Sequence, residues 1–186
     1  MDFSMKTVPL LRWASMLVSA VRAESGLELG CGDGGMINEL PLVARAGMDL
    51  WQPSLDACRQ EHPTTATILG DIRELNQYFR PKSVDLVCGF DILEHLHLPD
   101  ALSVMAQAED VARKGVLWWG PLEDHPRKFD MDNPCMEHVR CIHIEEFEER
   151  DYELIVFPKY FRIPNMYVAD GFLAFKDMRQ YDEPAS

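Results

Sequence analysis

Residues 26–36 read GLELGCGDGGM and are the strongest fold signal in the chain. An apolar run leads into four closely spaced glycines: Gly30, Gly32, Gly34 and Gly35. Glycine adopts backbone conformations that other residues avoid, so this density predicts a tight turn between a strand and a helix. Three of the glycines also satisfy the pattern G-x-G-x-x-G, which is typical of turns that hold a nucleotide.

On both sides of this turn, short apolar strands alternate with short helices. The predicted strands are 26–29, 43–50, 65–69, 84–90 and 115–119. The predicted helices are 36–40, 54–61, 72–79 and 99–112, and prolines limit several of them. This alternation predicts βαβ units, a parallel sheet and right-handed crossovers.

The pattern changes after residue 121. Residues 121–143 combine turn formers, charges and prolines, and form a long excursion of the kind that is often functional. A short acidic helix is predicted at 143–150, and two strands at 152–157 and 171–175. The fold prediction is α/β: a Rossmann-like, doubly wound, mostly parallel seven-stranded sheet with an antiparallel C-terminal strand pair at one edge.

Composition limits the kinds of partner. The formal net charge is −13 and the basic residues do not cluster, which disfavours nucleic acid and membrane partners. Five cysteines with no secretory signal and no paired spacing indicate reduced thiols in a cytoplasmic protein. Apolar residues recur at helical spacing over 8–21, which predicts an amphipathic helix on the domain and not a targeting segment.

Three carboxylates narrow the choice of nucleotide. Glu28 lies two residues before Gly30, where it would repel a pyrophosphate but would suit an ammonium group. Asp49 and Asp71 end the next two strands, and ligands of such sheets bind outside the carboxyl ends of the strands. Hydrogen-bond acceptors for an ammonium group, a ribose and an adenine amine together predict S-adenosylmethionine as the ligand. NAD is the alternative, because the glycines match G-x-G-x-x-G literally.

At this point the sequence resembles the class I S-adenosylmethionine-dependent methyltransferases, in their small-molecule branch. The matching segments occur in family order: ELGCGDGG at 28–35, MDLWQPSLDACR at 48–59, LGDI at 69–72, VDLVCGFDILEHL at 84–96 and GVLWWGP at 115–121. HVRCIHIEEFEERDYEL at 138–154 resembles the last helix and strand entry of that branch. Each motif is modest alone, and the ordered set is specific.

The resemblance implies a role for individual residues at the methionine and ribose end. Glu28 and the turn would hold the methionine moiety, and the turn residues are Gly30, Cys31, Gly32 and Gly34. Asp49 would bind the ribose hydroxyls. The alternative for the turn is a plain tight connection, and for Asp49 a role in the turn itself.

At the adenine end the resemblance implies three further contacts. Leu50 or Trp51 would cover the adenine face, Asp71 would accept from the adenine amine, and the Ile72 N–H would contact the ring. Trp51 as half-buried packing and Asp71 as a helix cap are the alternatives. Phe90 and Asp91 would line the opening for methyl transfer.

Candidate bases lie in DILEHLHLPD at 91–100. If 92–96 form a helical turn, Asp91, Glu94 and His95 lie close together. Structural ordering of the turn, a catalytic or acceptor contact and a divalent cation are the three interpretations. Some methyltransferases acting on catechol-like or RNA 2′-hydroxyl acceptors carry a related set.

A second group of candidate side chains has the spacing C-x2-H-x2-C-x-H, and it comprises Cys135, His138, Cys141 and His143. The spacing is tighter than that of common zinc modules. We therefore predict no metal site, and we predict Asp91, His95 and His138 as the catalytic residues. Arg127 and Lys128 are candidates for holding an anionic acceptor.

The sequence therefore predicts a methyltransferase that uses S-adenosylmethionine and acts on an O or N atom of a small or medium metabolite. The alternatives are an NAD-dependent oxidoreductase and a non-catalytic cofactor-binding regulator. We predict a single domain with four parts: an N-terminal helix (1–25), a cofactor-binding core (26–120), a substrate-side excursion (121–143) and a C-terminal helix and strand pair (144–186). The oligomeric state is left open.

Overall fold

A computed structural model describes residues 7–122, 133–163 and 167–181. Its centre is a seven-stranded sheet in the order β3-β2-β1-β4-β5-β7-β6. The strands are β1 (Ser25–Leu29), β2 (Ala44–Asp49), β3 (Ala66–Leu69), β4 (Val84–Phe90), β5 (Ala112–Leu122), β6 (Glu153–Ile163) and β7 (Tyr167–Asp177).

The sheet is parallel from β3 to β5, and β7 is antiparallel to both β5 and β6. The predicted fold class is confirmed. The strand order reverses between β1 and β4, which makes the carboxyl ends of these two strands the expected ligand site.

Within the described ranges, six helices connect or flank the strands: α1 (Thr7–Ala20), α2 (Gly35–Glu39), α3 (Gln52–Glu61), α4 (Leu75–Tyr78), α5 (Leu98–Val111) and α6 (Glu145–Glu148). Proline in the first turn begins both α3 and α5, where its missing N–H costs nothing. Among the described residues, no helix is long and apolar enough to cross a membrane.

The core has two parts, one on each face of the sheet. Trp118 belongs to the part that includes the buried side of α5, whereas Trp119 belongs to the part that includes α1. Successive residues of a strand point to opposite faces, so these two tryptophans divide the core between them. Leu10, Ala14 and Val18 of α1 are fully buried, and the predicted N-terminal helix packs on the sheet.

Several elements differ from their predicted bounds, among them the 72–79 helix and the strands β5, β6 and β7, which are longer than predicted. The 72–79 helix splits into a 3-10 turn at Ile72–Glu74, which Asp71 caps through the N–H of Arg73, and α4. The two are separated because the backbone of Glu74 (φ −110°, ψ 26°) is not helical. β5 extends beyond 115–119 because it pairs with β7 from Gly115 to Leu122 and with Val84 of β4 at Ala112. Residues 123–132 of the predicted excursion lie outside the described residues.

Candidate functional site

The glycine turn is tied to the end of β2 by its backbone. Gly30 N and Cys31 N both donate to Met48 O, at 2.8 and 3.2 Å, and Gly34 N donates to Cys31 O at 2.8 Å. A Cβ at Gly30 would collide with Cδ1 of Ile92, so the turn also packs tightly against the segment that follows β4. The turn therefore joins the carboxyl ends of β1, β2 and β4.

Gly32 gives the turn its open face. Its φ of +55° lies in the left-handed region that favours glycine, and no atom lies within 4 Å of the place a Cβ would take. Space beside exposed backbone, at the strand-order reversal, is what a bound nucleoside requires.

Asp49 connects this turn to the next helix. Its Oδ2 accepts from Gly32 N at 2.9 Å, and its Oδ1 accepts from Trp51 N at 2.7 Å. A carboxylate has about four acceptor positions, so two are left for a ligand's hydroxyl groups. The predicted turn role of Asp49 and its predicted ribose role are thus compatible.

Glu28 lies beneath the turn and is only 2% exposed. Its Oε2 accepts from Ile37 N at 3.1 Å, in the first turns of α2. Burial raises the pKa of this carboxyl well above its usual range, and the nearby carboxylates Asp33 and Asp49 raise it further, while the Ile37 N–H opposes the shift. A cation bound at the turn would favour the charged form, which fits the predicted ammonium contact.

On the adenine side, Asp71 makes contacts within the protein. Arg73 Nε lies 3.0 Å from both carboxylate oxygens of Asp71, and this hydrogen bonding lowers the pKa of Asp71. Asp71 therefore caps the 3-10 turn and forms an ion pair with Arg73. This role of Arg73 was not predicted from the sequence. Ile72 is buried, Trp51 is half-buried, and Leu50 is 52% exposed and able to cover a planar ligand.

The end of β4 carries the predicted opening. Phe90 is buried, whereas Asp91 is exposed and has a φ of +49°, which is strained for a residue with a side chain. Its N–H donates to Trp119 O at 2.9 Å, so the end of β5 holds this conformation. Asp91 also acts on Tyr160: burial, together with the charge of Asp91, raises the pKa of Tyr160 to about 12.

Beyond Asp91, a 3-10 turn at Leu93–His95 places two potential metal ligands beside His138. This group of three side chains was not predicted from the sequence. Glu94, His95 and His138 each offer one ligand atom, and these atoms lie within 4.8 Å of one another. Asp91, predicted to be near Glu94 and His95, is not in this group. The rings of His95 and His138 are 4.9 Å apart, edge to face.

The second predicted cluster is dispersed. His138 is buried, whereas Cys135 and His143 are exposed, and among the described residues only His138 joins a metal-competent group. Burial raises the pKa of Cys135, and the charges of Asp49 and Asp71 raise it further, so Cys135 lies on the cofactor side. Arg127 and Lys128 lie outside the described residues.

A family profile described as "Methyltransferase domain" matches residues 27–118, which span the glycine turn and the first five strands. The chain belongs to the class I S-adenosylmethionine-dependent methyltransferases. No curated protein sequence matches the chain.

Solved structures with the same fold include several methyltransferases. N-methyltransferase NodS from Bradyrhizobium japonicum WM9, solved with S-adenosylhomocysteine, is 12% identical, with a TM-score of 0.69 over 95% of this chain and 89% of NodS. A methyltransferase from Clostridium acetobutylicum ATCC 824 is 13% identical, with a TM-score of 0.64 over 93% of this chain and 92% of its own. The plantazolicin methyltransferase BamL is 10% identical, with a TM-score of 0.66 over 95% and 86%.

S-adenosylmethionine is accordingly the cofactor of this methyltransferase, and the oxidoreductase alternative is not retained. The open backbone at Gly32, the carboxylate of Asp49 and the buried acid Glu28 fit its ribose and its ammonium group. When bound, this cofactor supplies an already activated methyl group, so the protein contributes mainly alignment and removal of water. The contacts of the individual residues remain predictions.

Proposed function

We propose that this methyltransferase methylates an oxygen or nitrogen atom of a small or medium metabolite. The observation that carries the proposal is the pair of adjacent imidazoles, His95 and His138, just beyond the predicted methyl opening at Phe90 and Asp91. A hydroxyl or protonated amine must lose a proton when it accepts a methyl group, and histidine is the usual acceptor of such protons.

The histidines are held in defined positions. Nδ1 of His95 lies 3.0 Å from the carbonyl oxygen of Glu137, so in the neutral ring Nδ1 carries the proton and Nε2 the lone pair. Nε2 of His138 lies 4.0 Å from Oε1 of the buried Glu94, which would stabilise an imidazolium formed there. Either ring could accept the proton, while Asp91 is the third predicted base.

Two structural neighbours support a small acceptor. Their names are those of an N-methyltransferase and of a methyltransferase solved with a triazolic plantazolicin analogue. The net charge of −13 also disfavours a nucleic acid acceptor in this protein.

The test is an acceptor screen with the purified protein and S-adenosylmethionine. Hydroxyl-, carboxyl- and amine-bearing metabolites are incubated separately, S-adenosylhomocysteine formation is followed, and the methylated atom is identified by NMR. We expect at least one O- or N-methylated product, with turnover reduced in His138→Ala and retained in the exposed control His143→Ala. Tight S-adenosylhomocysteine binding with no turnover of any acceptor would favour the non-catalytic regulator instead.

A further inference from the structure

We infer that Glu94, His95 and His138 form a binding site for one divalent transition-metal ion. The proposal goes beyond methyl transfer, and ion binding does not depend on the identity of the acceptor. Two imidazoles and one carboxylate suit zinc, iron, cobalt and related ions, whereas magnesium prefers oxygen ligands alone.

The distances are close to those of a metal centre. The ligand atoms of the three side chains lie within 4.8 Å of one another. Ligand atoms at about 2.0–2.2 Å from an ion lie within about 4 Å of each other, so side-chain shifts of about 1 Å complete the site. Three protein ligands leave at least one coordination position for water or a second ligand.

A backbone group outside the site also orients one of these ligands. The backbone carbonyl of Glu137 fixes the His95 ring through Nδ1, which directs the Nε2 lone pair to the site. Histidines that bind metals almost always donate their other ring N–H in this way. The residue that provides this carbonyl directly precedes His138, so one short segment supplies both a ligand and an orienting group.

Backbone hydrogen bonds join the two distant parts of the site. Val139 N donates to Glu94 O at 3.0 Å, and Arg140 Nε donates to Leu93 O at 3.3 Å. These bonds lie directly beside His138 and hold it against the 3-10 turn. Glu94 is 1% exposed, and its Oε2 points towards Gly120 at the end of β5. The ion would therefore lie at the carboxyl ends of β4 and β5, beside the predicted methyl opening.

An ion at this position changes the part played by the two histidines. As ligands they would act on an acceptor through the ion, and Asp91, outside the group, would be the remaining predicted base. The inference departs from the sequence-based prediction of no metal site, because no spacing in the sequence indicates that His138 lies beside Glu94.

The experiment uses the full chain stripped with a chelator and titrated with Zn²⁺ by calorimetry, and with Co²⁺ by visible absorption. We expect one ion per chain, and no heat with Mg²⁺. Glu94→Gln and His138→Asn should each weaken Zn²⁺ binding. Loss of a group that only hydrogen-bonds to a metal ligand lowers the affinity by roughly 10–100-fold, and loss of a ligand should cost at least as much. The exposed control His97→Asn should leave the affinity unchanged.

Two further measurements check that the variants fold and that the cysteines are not ligands. Circular dichroism shows whether the buried-site variants fold, and His138→Asn stands in if Glu94→Gln does not. The Co²⁺ spectrum should lack a thiolate charge-transfer band, and the double variant Cys135→Ser/Cys141→Ser should bind normally. The inference is overturned if the wild-type chain binds no Zn²⁺, if folded Glu94 and His138 variants bind like wild type, or if a thiolate band appears.

Discussion

Replacement of Asp49 by alanine should weaken cofactor binding and loosen the glycine turn. The wild-type carboxylate accepts from Gly32 N at 2.9 Å and from Trp51 N at 2.7 Å, and it retains acceptor positions for ribose hydroxyls. A hydrogen bond to a charged group contributes about 1.5–3 kcal/mol. Loss of one such bond to the ligand lowers affinity by about 10- to 150-fold.

The intraprotein bonds add an effect on stability. Loss of about 1–3 kcal/mol from the turn lowers the Tm by about 2–4 °C for each kcal/mol in a chain of this size. Asp49→Asn keeps one carbonyl oxygen and loses the charge, so its affinity and Tm should fall between those of wild type and alanine.

The assay is calorimetric titration with S-adenosylhomocysteine, with Asp56→Ala as the matched control. Asp56 is an exposed carboxylate on α3, and its replacement removes the same charge without affecting the turn. If Asp49→Ala and Asp56→Ala both bind within about twofold of wild type, Asp49 does not contact the ligand and the ribose assignment is wrong.

Three other substitutions test the turn, the core and an ion pair. Gly32→Ala should fold with about 1–2 kcal/mol less stability because of its positive φ, and should bind S-adenosylhomocysteine weakly; unchanged affinity would contradict an open ligand face at this glycine. Phe147→Ala, at a fully buried ring, should lower the free energy of unfolding in urea by about 3–5 kcal/mol, whereas the exposed neighbour Glu148→Ala should change little. Burial alone would raise the pKa of Asp85, but a backbone N–H and two cations hold it below its usual value. Asp85→Asn should therefore cost about 1.5–3 kcal/mol at pH 7, a cost that shrinks as the pH falls below about 3.9 and the wild-type carboxyl is protonated; a cost independent of pH would refute this.

Most of the fold could be predicted because its signals are local. Apolar runs bounded by glycine and proline gave the strands of the parallel part to within a few residues, as at β4 (Val84–Phe90). β5 was predicted too short because its length depends on pairing with β7 and, at Ala112, with β4, and pairing partners are not visible in a single strand.

The sequence predicted which residues lie at the carboxyl ends of the strands, where the site is found. It did not predict which of their side chains contact one another. Gly32 and Asp49 were expected at one ligand, and their mutual hydrogen bond follows from the neighbouring positions of β1 and β2. The ion pair of Asp71 with Arg73 and the approach of His138 to Glu94 depend on side-chain choices and on a tertiary contact. The C-x2-H-x2-C-x-H spacing singled out His138, but it grouped this residue with Cys135, Cys141 and His143 and not with Glu94 and His95.

We propose that the glycine turn after β1 and the carboxylate after β2 hold S-adenosylmethionine. Calorimetric titration of the wild-type protein with S-adenosylhomocysteine and, separately, with NAD is the decisive experiment. We expect saturable binding of one S-adenosylhomocysteine per chain and no heat with NAD. Saturable binding of NAD, with none of S-adenosylhomocysteine, would contradict it.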